Sequence, residues 1–135
     1  MDIIVSPLSD KDVGDVYGIE KQCFSLPWSK DAIEKEIGSW LVAHIDGEVA
    51  GYLGFFVVEN ECNITNLAVK NEHRRKGIAK TLLYALDYPV VFLEVRASNA
   101  AAIALYEKCG FIRIGVRKNF YSHPTEDAIL MKKEK

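Results

Sequence analysis

The 135-residue sequence has few cysteines and none of the spacings that cysteine-based sites require. There are three cysteines, an odd number, and no two of them form a C-x-x-C pair. They are Cys23, Cys62 and Cys109. We therefore expect reduced thiols, without a disulfide framework or a zinc site. The three histidines also lack ligand spacing, so no metal is expected.

The sequence also lacks long apolar runs and an excess of basic residues. No apolar run approaches the roughly 18–20 residues that a membrane span needs. The formal net charge is -2, whereas proteins that coat nucleic acid are usually basic. The first five residues contain no basic stretch followed by an apolar one, so no signal peptide is expected. We expect a cytoplasmic protein that binds neither membranes nor nucleic acid directly; its oligomeric state stays open.

No linker, internal repeat or low-complexity segment interrupts the chain, and 49% of its residues are hydrophobic. This composition predicts one domain over residues 1–135. Periodicity and turn residues predict helices at 10–22, 29–37, 77–86 and 99–108, capped by Asp10 or Ser9, by Ser29, after Gly77 and by Asn99. Strands are predicted at 3–8, 41–45, 49–58, 62–69, 90–95, 111–121 and 128–132. This order predicts a mixed sheet, α/β in composition, with helices on both faces.

The segment 74–79, Arg-Arg-Lys-Gly-Ile-Ala, follows a predicted strand and opens a predicted helix. Backbone N–H groups and the positive end of a helix dipole then point at one spot, where Gly77 allows close approach. This pattern predicts a phosphate or pyrophosphate site; the alternative is a solvated turn. A nucleotide-binding domain is disfavoured, because neither G-K-[ST] nor an acidic magnesium ligand placed after a strand is present.

Glu94 lies in the otherwise apolar run 90–95. A buried carboxylate is costly unless it is paired or lines a cavity. Desolvation would raise its pKa toward neutrality, which suits a general base. The alternative is an ion pair with Arg96 or with a cation on the next strand.

Asn99 and Tyr106 are seven residues apart, about two helical turns, and therefore share a helix face. The alanines between them keep that helix thin. Tyr106 could give a proton to a leaving group; the alternative is an N-cap and a half-buried aromatic ring. No Ser or Cys lies in a recognisable nucleophile motif, so acyl-enzyme chemistry is disfavoured.

The chain resembles the GNAT superfamily of N-acetyltransferases. Residues 74–79 match its R/Q-x-x-G-x-G/A loop, and residues 93–111, which begin Leu-Glu-Val-Arg-Ala-Ser-Asn, match its second half. Residues 26–29 (Leu-Pro-Trp-Ser) and 126–131 resemble the RimI subfamily, which acetylates the N-terminal alanine of a ribosomal protein. The resemblance covers nearly the whole chain and implies a mostly antiparallel sheet of the acyl-CoA N-acyltransferase fold, a single acetyltransferase domain.

The resemblance also implies the reaction. Acetyl-CoA, without a metal, would donate an acetyl group to a protein N-terminus, that of ribosomal protein eighteen of the small subunit. Alternatives are acetylation of lysine side chains or of a small amine, or a non-catalytic acetyl-CoA-binding regulatory module. Retained Glu94 and Tyr106 disfavour the last of these.

The site residues implied by the resemblance follow from matching positions. Glu94 would accept a proton, Tyr106 would donate one, and Trp28 and Tyr121 would line the acceptor groove. The residues implied to contact the cofactor are Leu67, Ala68, Val69, Arg75, Lys76, Gly77, Ile78, Ala79, Lys80 and Asn99. Acidic residues near the groove, among them Glu126 and Asp127, would attract a basic residue of the substrate.

One departure from the family concerns residues 77–94, which are shorter than the family norm by roughly two helical turns. Loss of whole turns retains the phase of the helix, and so its inward face. We therefore expect a short helix after Gly77. The segment 121–125 also looks short.

Overall fold

The computed structural model describes residues 2–135 as a seven-stranded mixed sheet with four α-helices. The strands are β1 (Ile3–Pro7), β2 (Leu41–Ile45), β3 (Glu48–Val58), β4 (Glu61–Val69), β5 (Val90–Arg96), β6 (Ile112–Tyr121) and β7 (Glu126–Glu134). The helices are α1 (Val13–Cys23), α2 (Lys30–Glu34), α3 (Ile78–Tyr84) and α4 (Ala100–Lys108). The strand order is β1-β2-β3-β4-β5-β7-β6. The β4–β5 ladder is parallel, and β1–β2, β2–β3, β5–β7 and β6–β7 are antiparallel, which confirms the mixed sheet.

Residue contacts divide the chain into two compact units. The first unit comprises the residues up to Phe55 together with Asn66–Leu86, and the second comprises Phe56–Thr65 and Asp87–Lys135. Strands β3 and β4 contribute residues to both units. The assignment of residues 1–135 to one acetyltransferase domain stays a prediction.

The core of the first unit forms around Trp40, of which 1% is exposed. The Trp40 ring lies directly over Gly54, because a Cβ there would come within 2.7 Å of the ring. The Trp40 ring also lies nearly parallel to the Tyr52 ring, with 6.0 Å between the ring centres. Other buried members of this cluster are Leu8, Val13, Val16, Ile19, Ile33, Val42, Val49 and Ala68. The apolar positions of α1 therefore face this core, as their helical spacing predicts.

The core of the second unit is built from alternate residues of β5 and one face of α4. Val91, Leu93 and Val95 are buried, whereas the residues between them, Glu94 included, are partly exposed. The apolar run 90–95 is therefore fully buried on one face only, because β5 follows the ordinary two-residue alternation of a strand. Ile103 and Tyr106 are the buried residues of α4.

The predicted caps of α2 and α4 are present, whereas the start of α1 and the end of α2 differ from the prediction. Ser29 and Asn99 cap α2 and α4, each accepting a hydrogen bond of 3.1 Å from a backbone N–H three residues later. A 3-10 turn at Asp10–Asp12 precedes α1, so α1 begins later than predicted, and Ser9 donates to Asp12 instead of capping. Helix α2 ends at Glu34 instead of residue 37.

Helix α3 has seven residues and ends at Tyr84, earlier than the predicted end at residue 86. It extends only about 10 Å at ~1.5 Å per residue. It packs against β1 and β2. Across residues 2–135, no helix has the length and apolar character to cross a membrane.

Candidate active site

The basic loop before α3 contains two residues with left-handed backbone. Arg75 has a φ of 64° and Gly77 a φ of 79°. A Cβ on Gly77 would meet nothing within 4 Å, so the space above this glycine is open. Arg75 is exposed and has no carboxylate partner within residues 2–135. The loop therefore presents open backbone and an unpaired cation on the same turn, an arrangement that suits an anion.

The neighbouring cation of this loop is oriented by a buried histidine. Lys76 Nζ lies 3.2 Å from His73 Nδ1, and His73 Nε2 lies 3.4 Å from a carboxylate oxygen of Glu48. Because an ammonium can only donate, His73 Nδ1 accepts and its Nε2–H donates to Glu48. Lys70 also binds Glu48, at 2.6 Å. The sequence shows no relation between Glu48 and this loop, so only the structure identifies this support.

The end of β4, just before the loop, has one edge turned away from β3. The Lys70 N–H donates to the Ala50 carbonyl of β3 at 2.8 Å. Because backbone groups alternate along a strand, those of Ala68 point toward β3 and those of Leu67 and Val69 point to the opposite edge. Arg74 Nε donates to the Val69 carbonyl at 3.4 Å. Leu67 and the Val69 N–H therefore lie on the edge that could pair with an added strand, while the predicted contacts of Leu67, Ala68 and Val69 with a cofactor stay predictions.

In the second unit, Glu94 lies on the partly exposed face of β5. Its side chain is 31% exposed, and a carboxylate oxygen lies 3.8 Å from an Arg117 guanidinium nitrogen on β6. The expectation that the Glu94 carboxylate is fully desolvated is therefore wrong. Arg117 lies close to it, which agrees with the alternative interpretation of a nearby cation on the next strand. At 3.8 Å and with Arg117 57% exposed, this pair holds Glu94 only weakly. The carboxylate remains available to a substrate proton.

Tyr106 on α4 is buried and stays protonated at neutral pH. Burial, followed by nearby Tyr121 and Cys109, raises the pKa of Tyr106 to about 12. Burial also raises the pKa of Tyr121 to about 12, and the charge of Glu94 is the next cause. Within the second unit, Tyr121 thus lies in electrostatic range of Glu94 and of Tyr106. A carboxylate that can accept a proton and phenols that can donate one suit general acid–base chemistry.

Asn99 has a structural role in this geometry. Its side-chain oxygen accepts from the Ala102 N–H at 3.1 Å, so it is the N-cap of α4. Its contact with a cofactor stays a prediction, as do the contacts of residues 75–80.

Arg96, two residues after Glu94, fixes the hairpin between β6 and β7. It donates to the carbonyls of Ser122 and Pro124, each at 3.0 Å, and lies 3.3 Å from a carboxylate oxygen of Glu126. Its guanidinium also lies 4.5 Å from the centre of the Tyr121 ring. The sequence offered Arg96 only as a partner for Glu94. The sequence does not reveal that Arg96 fixes the hairpin, because the groups that Arg96 binds are distant in sequence and are mostly backbone carbonyls.

The acidic residues of this hairpin are already engaged. Hydrogen bonds from Ser98, and then from Arg96, hold the pKa of Glu126 below its usual range. An Asp127 carboxylate oxygen accepts from the Asn119 N–H at 2.9 Å. Glu126 and Asp127 therefore help to shape the hairpin, and their attraction of a basic substrate residue stays a prediction.

Trp28 lies in the segment before α2 in the first unit. Its ring contacts Trp40 at a centroid distance of 5.0 Å, and its backbone N–H donates to Glu20 at 2.9 Å. No group of three His, Cys, Asp or Glu side chains within residues 2–135 is arranged to hold a metal ion.

Comparison with known proteins identifies the family. The family described as "Acetyltransferase (GNAT) family" matches residues 13–111. The chain is 36% identical over 141 residues to the [ribosomal protein bS18]-alanine N-acetyltransferase of Escherichia coli, covering 94% of each chain. It is 41% identical over 118 residues to an N-alpha-acetyltransferase of Saccharolobus solfataricus, covering 72% of this chain and 70% of that one.

A solved structure agrees with this similarity. The crystal structure of the Escherichia coli ribosomal-protein-alanine N-acetyltransferase superposes with a TM-score of 0.88 at 33% identity, covering 98% of this chain and 94% of that one. The mixed sheet described above is therefore the acyl-CoA N-acyltransferase fold. The chain belongs to the GNAT acetyltransferase family, is similar to its RimI members, and is an acyltransferase.

Proposed function

We propose that this protein is an acetyl-CoA-dependent N-alpha-acetyltransferase that acetylates the N-terminal amine, preferably of alanine, of a protein. The acceptor we propose is ribosomal protein eighteen of the small subunit, which places the enzyme in the cytoplasm. The observation that carries the proposal is the 36% identity with an alanine N-acetyltransferase over 94% of both chains.

The residues of the first unit fit acetyl-CoA. The open space above Gly77 would admit a pyrophosphate, and the unpaired cation of Arg75 would neutralise part of its charge. The rest of the predicted pyrophosphate loop is Lys76, Ile78, Ala79 and Lys80. Leu67 and Val69 have backbone groups on the edge turned away from β3, which would pair with the amide groups of the pantetheine arm.

The residues of the second unit fit direct transfer. Acetyl-CoA supplies a thioester whose carbonyl carbon forms a bond to the amine nitrogen while its bond to sulfur breaks. An α-amino group has a pKa near 8, so a carboxylate base such as Glu94 is sufficient to collect its proton, directly or through water. Tyr106 remains a neutral phenol and gives its proton, or a hydrogen bond, to the departing sulfur.

The acceptor segments favour a peptide N-terminus over a lysine side chain. Trp28 and Tyr121 would each supply aromatic surface, and Glu126 and Asp127 each accept a hydrogen bond from a backbone N–H. A lysine ammonium on its long stem would favour a channel lined by free carboxylates. Aromatic walls instead suit an extended peptide bound partly through its backbone.

Mass spectrometry of a peptide panel tests the proposal. The panel contains peptides with free N-terminal Ala, Ser or Met and an N-blocked peptide with one lysine, each incubated with enzyme and acetyl-CoA. We expect the Ala and Ser peptides to be acetylated far faster than the lysine peptide. Preference for the lysine peptide or for a free polyamine would contradict the proposed substrate class. Absence of turnover with every acceptor, together with acetyl-CoA binding, would favour the regulatory module.

A further inference from the structure

Glu20 on α1 is the most deeply buried carboxylate within residues 2–135, with 1% of the residue exposed. It accepts hydrogen bonds from three neutral donors. One carboxylate oxygen accepts from the Tyr52 hydroxyl and from Asn66 Nδ2 at 3.0 Å. The other accepts from the Trp28 N–H at 2.9 Å and from Asn66 Nδ2 at 3.2 Å. No cation of the described chain pairs with Glu20.

These donors lie on separate elements of the first unit. Tyr52 is on β3, Asn66 is on β4 immediately before Leu67, and Trp28 is in the segment that leads into α2. Trp28 also contacts Trp40, which is close to Tyr52. One carboxylate therefore joins the proposed acceptor segment to the strand whose next residues would bind acetyl-CoA.

Packing alone is a poor explanation for this network. Buried ionic groups can often be replaced by well-packed apolar residues without loss of stability. Here, moreover, Asn66 turns its amide nitrogen to Glu20, and its Oδ1 is buried with no hydrogen-bond partner in residues 2–135. A buried acceptor without a partner is costly. The network thus carries a cost that apolar side chains at these positions would avoid.

We propose that Glu20 is a positioning residue that immobilises the Trp28 segment for binding of the acceptor peptide. The effect on acceptor binding rests on the proposed function, whereas the hydrogen bond between Glu20 and Trp28 does not. The backbone N–H of Trp28 lies outside any helix or strand and donates to Glu20, while the Trp28 ring contacts Trp40. Loss of the Glu20 bond would free the backbone of this segment, which we propose contacts the acceptor.

The test compares Glu20→Leu with Asp12→Leu. Leucine has no acceptor, so the Trp28 N–H, which can only donate, loses its bond to the side chain at position 20. Asp12 is the matched control, since it is 4% exposed in the same unit and accepts from Ser9 and His44, away from Trp28 and Asn66. Tyr52→Phe is a milder second variant that keeps the Trp28 bond and removes one support of the carboxylate.

The first readout is hydrogen exchange of the Trp28 amide, which does not depend on activity. We expect exchange to accelerate about 10-fold or more in Glu20→Leu, because the amide loses its acceptor, and to stay near wild type in Asp12→Leu. Tyr52→Phe should shift it in the same direction by a smaller factor, and this variant decides the question if Glu20→Leu does not fold. Unchanged exchange in the folded variants would overturn the proposal.

The second readout is steady-state kinetics with an Ala-initiated peptide. Glu20→Leu should raise KM for the peptide by roughly fivefold or more, with smaller changes in kcat and in acetyl-CoA affinity. An equal loss in Glu20→Leu and Asp12→Leu would show a merely structural role and overturn the proposal. Failure of the wild-type enzyme to acetylate any N-terminal peptide would contradict the proposed function instead, and hydrogen exchange would still decide whether Glu20 holds Trp28.

Discussion

The guanidinium of Arg96 lies over the ring of Tyr121, 4.5 Å from its centre. The same side chain binds two hairpin carbonyls and Glu126, so the end of β5 holds the turn between β6 and β7. The residue that follows the proposed base by two positions thus fixes the aromatic ring proposed to contact the acceptor.

Arg96→Lys should raise KM for an N-terminal peptide by roughly 10-fold, with acetyl-CoA affinity unchanged. A lysine keeps the charge but loses the planar fork that reaches several carbonyls at once. Steady-state kinetics measure the effect, and Arg113→Lys, an exposed arginine on the same hairpin, is the control. Equal KM values in the two variants would show that the bonds from Arg96 to the hairpin do not affect binding of the acceptor peptide.

Glu94→Gln should lower kcat/KM by roughly 10²-fold or more at neutral pH, the range of a lost general base. Its melting temperature should change little, because the exposed pair with Arg117 contributes little to stability. Arg117→Gln removes the partner and leaves the carboxylate, so its activity should stay close to wild type. Recovery of Glu94→Gln at high pH would indicate that Glu94 only collects a proton. Equal losses in both variants would contradict the role of Glu94 as base.

Tyr106→Phe should lower kcat by about 10²-fold with little change in peptide KM, since the phenol is proposed to act only as sulfur departs. The measurement is the initial rate at saturating acetyl-CoA. Tyr84→Phe, an exposed tyrosine, is the control. Wild-type kcat in Tyr106→Phe would exclude the phenol as proton donor.

Alkaline pH should unfold the wild type more readily than Tyr106→Phe. The pKa of Tyr106 is raised from 10.0 to about 12, so the folded protein retains a proton that the unfolded chain releases. The resulting stability is fully present below pH 10 and is lost as the pH rises toward 12. Urea unfolding at pH 9 and pH 11 should therefore show a larger loss of free energy for the wild type. Equal losses would contradict the buried environment of this phenol.

Gly77→Asp should abolish most of the rise in melting temperature that acetyl-CoA causes by mass action. The substitution adds a negative charge and strains a backbone with φ of 79°. Gly47→Asp is the matched control, because Gly47 has the same φ, equally open space and a place in the β2–β3 turn. An equal shift with ATP, or no shift with acetyl-CoA in the wild type, would contradict the cofactor.

Local sequence determined most of the elements. The turn at Asp46 and Gly47 has positive φ at both residues, as a tight hairpin requires, and Ser29 and Asn99 cap the helices they precede. These features depend on bonds between residues a few positions apart. The order of strand, glycine loop and helix around residues 74–79 was predictable for the same reason, because these parts are consecutive, while anion binding there stays a prediction.

The signal of Glu20 was also present in the sequence. Glu20 shares the apolar face of α1 with Val13 and Val16, and a lone acid on such a face needs a partner. Its partners Tyr52 and Asn66 are 32 and 46 residues away. Nothing in the sequence near Glu20 indicates that these two side chains contact it.

The sequence by itself determined the family, the elements and the short α3, since each depends on residue types at fixed spacing. Only the tertiary structure decided that Glu94 is partly exposed, that Arg96 holds the hairpin, that Glu126 is already engaged, and that Glu20 joins Trp28 to β4. Each of these depends on which distant groups share a hydrogen bond or shield a side chain from water. Such contacts form only when strands pair and helices pack.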